Sequence, residues 1–119
     1  MDNYKYFIAV ASTDGIVVNS HFGKAGTFHI FGITKDNDFV HTEIRKLTPV
    51  CEGGDHDDVK LQENAKSLSD CKYVLVSRIG PRAANVLADE GITAMEIPNI
   101  IEEALKKIIS YDEVQNLFN

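Results

Sequence analysis

The feature that most constrains this chain is a change of hydrophobic period near residue 58. Before it, short apolar runs are separated by turn residues; after it, helical spacing alternates with short apolar strands. Tyr6-Phe7-Ile8-Ala9-Val10-Ala11 is a nearly continuous apolar run stopped by Ser12, Thr13, Asp14 and Gly15, which predicts a central strand covered on both faces. Thr27 to Ile33 and Phe39 to Arg45 flank the polar stretch Lys35-Asp36-Asn37-Asp38, the signature of a hairpin with a connection of about four residues. A further short strand near Ile16 to Val18 also fits.

Beyond the change, Val59, Leu61, Ala65 and Leu68 follow the acidic run Asp55 to Asp58, whose charge suits a helix N-terminus, so a helix is predicted from about Asp57 to Asp70. Tyr73 to Ser77 predicts a second buried strand. Gly80 then turns the chain, and Pro81 fits the first position of a helix that Gly91 ends. Ile92 to Ile97 predicts a last strand, and Asn99 a cap for an amphipathic helix carrying Ile100, Ile101, Ala104, Leu105, Ile108 and Ile109.

The order is thus βββαβαβα. Strand-helix alternation demands parallel pairing through right-handed crossovers, and the hairpin demands antiparallel pairing. The expected fold is a single α/β domain spanning residues 1–119, with a mixed five-stranded sheet. Its hairpin lies on one side of the central strand and its βα units on the other, an arrangement that resembles a ribonuclease H-like architecture. A chain of 119 residues without repeats or linkers is of a size to bury one core.

Composition narrows the function. No apolar run approaches the roughly 20 residues that cross a bilayer, and the start MDNYKYFIAVAS lacks the basic and long apolar parts of a signal peptide. A cytoplasmic protein with no membrane partner is expected. Its two cysteines, Cys51 and Cys71, would stay reduced there and free to ligate metal. The net charge of −6, with twelve scattered Lys and Arg, argues against nucleic acid as a partner.

Three segments could carry chemistry. Asn19-Ser20-His21-Phe22-Gly23-Lys24-Ala25 sets an imidazole in a polar loop; neutral imidazole ligates iron or zinc, although an isolated loop histidine is more commonly solvated. Cys51-Glu52-Gly53-Gly54-Asp55-His56-Asp57-Asp58 gathers a thiolate, an imidazole and four carboxylates around paired glycines. Thiolate suits soft metals and iron-sulfur clusters, and the alternative is an acidic loop capping the next helix. Ser77-Arg78-Ile79-Gly80-Pro81-Arg82 is a strand-to-helix turn whose free amides and guanidinium groups would attract an anion; Arg78 is the better candidate, and Arg82 fits an ordinary turn.

Catalytic motifs are missing. Gly23-Lys24 could end a phosphate loop, but Val18 stands where its first glycine belongs and Ala25 where Ser or Thr is needed. There is no nucleophile elbow, no closed zinc motif, and no carboxylate on the central strand for paired nuclease metals. Cys51 and His56 lie five positions apart, without an identifiable third residue to orient them. Cys71, before a buried strand, fits a packed thiol, while His29 and His41 fall within strand patterns as surface or cross-strand residues. The chain is therefore not expected to be an enzyme.

Taken in order, FIAVAS at Phe7 to Ser12, NSHFGKAGTFHIF at Asn19 to Phe31, VCEGG at Val50 to Gly54 and DCKYVLVSRIGPRAANVL at Asp70 to Leu87 resemble the dinitrogenase iron-molybdenum cofactor biosynthesis family. That family comprises stand-alone carriers and the C-terminal domain of a cofactor-building radical enzyme. The resemblance implies a ribonuclease H-like fold and non-catalytic binding and transfer of an iron-sulfur or iron-molybdenum cofactor precursor, in nitrogen fixation or a related pathway, with metallocluster assembly proteins as partners. It points to His21 and Cys51 as ligands; His56 joins them from local composition, and Arg78 would balance the charge of an anionic cargo. The chain lacks the radical domain and its Cys-rich motif, so it would not build a cluster itself. The alternative is a metal-free regulatory or interaction module that uses the same surface for a partner or small anion.

Overall fold

The computed structural model of the chain describes residues 3–50 and 58–118. Strands β1 (Tyr4–Ala11), β2 (Thr27–Thr34), β3 (Phe39–Lys46), β4 (Tyr73–Val76) and β5 (Thr93–Glu96) alternate in the second half with helices α1 (Asp58–Ser67), α2 (Pro81–Asp89) and α3 (Ile101–Leu117). They form one mixed sheet in the order β3-β2-β1-β4-β5. β1 is antiparallel to β2 and parallel to β4, and β4 is parallel to β5. The hairpin therefore lies on one side of the central strand and the βα units on the other, as the sequence predicts.

The apolar run becomes the centre of the molecule because both sheet faces are covered. Ala9 and Ala11 point into one core with Phe28, Ile30, Leu61 and Leu87, under α1 and α2. Ile8 and Val10 point into the other with Leu75, Leu105 and Ile108, under α3. Strand alternation makes this division automatic. Ile8, Ala9, Val10 and Ala11 are each 0% exposed, which accounts for a run in which no polar residue interrupts the apolar ones.

The connection between β2 and β3 is the four residues 35–38. Asn37 sits at φ 65°, a conformation asparagine tolerates, and the Thr34 N–H donates to the Asp38 carbonyl at 2.9 Å. Pro81 opens α2 as expected, and Gly91, at φ +80°, follows its end, where a left-handed residue lets the chain turn into β5. Cys71 is packed at 3% exposure; burial, with the neighbouring Asp70 carboxylate, pushes its thiol up to about 12.

Two expectations are corrected. Asn99 does not cap α3: Ile100 holds that position without a side-chain cap, and the Asn99 Oδ1 accepts instead from the Ile100 N–H at 2.7 Å. The Ile101 N–H is satisfied by the Ile16 carbonyl at 2.8 Å, so a loop backbone does the capping. That same loop makes a single antiparallel bridge, Val17 to Ile100, in place of a short strand, which leaves Ile100 52% exposed.

Candidate functional site

Past Val76 the chain leaves the sheet, but its backbone stays paired. The Ser77 N–H donates to the Ser20 carbonyl at 3.0 Å, and the Phe22 N–H donates to the Arg78 carbonyl at 2.9 Å. His21 and Arg78 thus form an isolated parallel bridge between two segments that are far apart in sequence. His21 leads into a one-turn 3-10 helix, Phe22–Lys24, which Phe22 anchors by burying its ring to 2% exposure against Phe28. Anchoring Phe22 in the core leaves the preceding imidazole exposed at the surface.

The same loop is stiffened from its other end. The Thr13 N–H donates to the Asn19 Oδ1 at 3.1 Å, and the Asn19 Nδ2 donates to the Thr13 Oγ1 at 2.9 Å. Thr13, Asn19, Ser20, His21 and Lys24 enclose an open cavity of about 340 Å³. A second, more apolar cavity of about 140 Å³ lies beside it, lined by Phe22, Val50, Leu61 and Ala83 together with Gly80 and Arg82. Phe22 and Gly23 line this second cavity while His21 and Lys24 line the first, so the loop separates a polar recess from an apolar one.

Of the four predicted site residues, the structure brings His21 and Arg78 together. Cys51 and His56 lie outside the described residues. Of their described neighbours, Val50 lines the second cavity, and Asp58, the first residue of α1, forms an ion pair with Arg82, which lines it. Arg82 is thus occupied by an exposed surface ion pair. Arg78 is exposed and its side chain makes no hydrogen bond or ion pair with another described residue. Among the described residues, no group of three or more His, Cys, Asp or Glu side chains is placed to hold a metal ion.

The turn itself differs from expectation in one respect. The Ile79 N–H, expected to be free for an anion, donates to the Glu96 Oε2 at 2.7 Å. A carboxylate at the end of β5 already fills that position. Sequence inspection could not have placed Glu96 there, because the contact depends on parallel register between β4 and β5, which sets Val76 opposite Glu96. The apolar lining was partly legible, since Leu61 and Ala83 fall on the periodic faces of their helices, whereas Phe22 and Val50 sit in loops where no period marks them.

The family model for dinitrogenase iron-molybdenum cofactor matches residues 4–111. The chain belongs to this family. Its relatives include the FeMo cofactor biosynthesis protein NifB of Chlorobaculum tepidum, 30% identical over 116 residues, covering 98% of this chain and 27% of the relative. The NifB of Frankia alni is 36% identical over 104 residues, covering 85% of this chain and 20% of the relative. The chain thus spans about a quarter or less of the curated relatives it matches. Solved structures share its fold: PH0822 at a TM-score of 0.63 and 23% identity, over 87% of this chain and 90% of that one. A putative NifB protein from Thermotoga superposes at a TM-score of 0.57 and 18% identity, over 87% and 86% of the two chains. Membership places the chain in a family involved in iron-molybdenum cofactor biosynthesis. Among the described residues no helix is long and apolar enough to cross a membrane.

Proposed function

We propose that this member of the family is a non-catalytic carrier that holds an anionic iron-sulfur or iron-molybdenum cofactor precursor at the end of β4 and passes it between metallocluster assembly proteins. The observation that carries this reading is the backbone bridge between His21 and Arg78, which sets an imidazole and a guanidinium that has no side-chain partner among the described residues on adjoining segments. Imidazole ligates cluster iron, as in Rieske-type centres, and a guanidinium donates several hydrogen bonds to an anion. Val50, the residue before Cys51, lines the apolar cavity, and in this proposal Cys51 would supply a thiolate and His56 a second imidazole. Few fixed ligands permit release.

No step of turnover is assigned to these residues. The apolar lining of Phe22, Val50, Leu61 and Ala83 would exclude water from one side of the cargo, while the exposed Arg78 would meet its charge from the bridge side. Lys24 beside His21 adds to the same field.

Anaerobic titration with a preformed iron-sulfur precursor, followed by absorption and paramagnetic resonance, tests this. Stoichiometric binding with charge-transfer bands should disappear in a Cys51→Ala, His21→Ala double variant and weaken in Arg78→Ala. Unchanged spectra in the double variant would overturn the ligand assignment. Absence of binding in the parent chain would move the function to a metal-free interaction module that uses the same surface.

A further inference from the structure

A second pair of imidazoles lies away from these residues, on the hairpin. His29 shares the Phe31 and Ile33 side of β2 by strand alternation, and the irregularity between Ile30 and Phe31 sets His41 of β3 opposite Phe31. The two rings approach diagonally across the strands, with centroids 5.2 Å apart and His29 Nδ1 at 3.1 Å from His41 Nε2. Two nitrogens bound to one tetrahedral ion at about 2.0–2.1 Å lie about 3.3 Å apart, close to the spacing of this contact, so loss of the bridging proton and reorientation of both rings would let the pair share one ion.

The surroundings preorganise one ligand and expose the other. His29 is 8% exposed, and its ring packs so closely on Gly15 that a Cβ there would meet its Cε1 at 3.1 Å. Gly15 sits at φ +73°, a conformation that itself favours glycine. Nδ1 is the nitrogen turned towards His41, and the far nitrogen, Nε2, is buried. His41 is exposed and lies tilted against Phe31, with centroids 5.0 Å apart, leaving the pair open to an ion from solvent. Burial first, then His41 and Lys46, push the His29 pKa down against the opposing pull of the Ser12 backbone and Asp14. Neutral imidazole is the form that ligates.

We propose that His29 and His41 form a bidentate imidazole site for a borderline divalent transition-metal ion such as zinc, nickel or copper(II), with water in the remaining positions. No group of three or more potential protein ligands is found among the described residues, so the site is an open, exchangeable one. Imidazole pairs suit these metals and not calcium or magnesium, which require oxygen ligands. The pair shares no residue with the cargo site proposed above, so the two are separable by mutation.

The test uses the untagged full chain, freed of metal by a chelator and titrated with zinc against a chromophoric competitor. A Cys51→Ala, His21→Ala, His56→Ala background should keep one equivalent of zinc, and nitrogen NMR should report its binding at the His29 and His41 imidazoles. Adding His41→Gln to that background should weaken binding at least tenfold without lowering the melting temperature appreciably, since His41 is exposed. The affinity should fall as pH drops through the imidazole range, because protons compete for the ligating nitrogens. Loss of stoichiometric zinc in the triple background, or equal affinity with and without His41→Gln, would overturn the site and leave a hydrogen-bonded imidazole pair.

Discussion

The two ends of β4 handle charge in opposite ways. At its start, Lys72 and Tyr73 close on Asp112 of α3, with Lys72 Nζ at 2.5 Å and the Tyr73 hydroxyl at 2.6 Å. Asp112 is 2% exposed. At the other end, Arg78 has no side-chain partner among the described residues, and its backbone, rather than its guanidinium, holds it to the His21 loop. One end commits its charges to the fold and the other keeps a charge available. A fold that saturates polar groups at one end of a strand can leave them open at the other because the backbone pairing does the structural work there.

The sharpest way to break this contrast is to damage the closed end and ask whether the open end notices. Leu105→Ala, at a position that is 0% exposed between sheet and α3, should cost about 2–5 kcal/mol of stability, read by chemical denaturation. Below the melting transition, cluster titration of the variant should match the parent. A parallel loss of binding would mean that the His21–Arg78 bridge depends on α3 packing.

Asp112→Asn comes next. Burial alone would raise the Asp112 pKa, but the hydrogen bonds from Lys72 and Tyr73 outweigh it and hold the carboxyl below the ordinary aspartate range. A depressed pKa means that the folded state binds fewer protons than the unfolded one. The associated stability is therefore present above the unfolded value of about 3.9 and is lost as pH falls through the folded one. The variant should cost about 1–3 kcal/mol at neutral pH and flatten the decline of stability below about pH 4. Asp14 and Asp70, whose pKa values are also lowered, leave part of that slope in place. A variant whose acid profile overlays the parent would remove Asp112 from the account.

The closed end and the open end were unequally legible in the sequence. Strand and helix positions followed from period, because β1 and β4 are buried on both faces and the helices carry apolar stripes. The hairpin turn followed from Lys35 to Asp38. His21 and Arg78 were singled out separately, one by its loop and one by its turn, but their pairing arises from backbone hydrogen bonds across the fold, which no side-chain pattern encodes. Asp112 was missed for the opposite reason: it sits in a polar stretch of α3, where a carboxylate reads as solvated until Lys72 and Tyr73 are known to face it. The Asn99 cap failed because the Ile16 carbonyl, a long-range acceptor, does that work instead.

The smallest effect on stability should be the most informative about the open end. Asp58 and Arg82 form an ion pair whose side chains are 60% and 63% exposed, so Asp58→Asn should change stability by at most about 1 kcal/mol. Its effect on an anionic cargo should be the larger one, because the substitution releases a guanidinium at the cavity that Val50, Gly80 and Arg82 line. Anaerobic titration should therefore show tighter binding in Asp58→Asn and weaker binding in Arg78→Ala, both with unchanged melting temperatures, and the gap should shrink at high salt as exposed charges are screened. If Asp58→Asn instead weakens binding, the carboxylate orients Arg82 towards the cargo, and the pair belongs to the site as a unit.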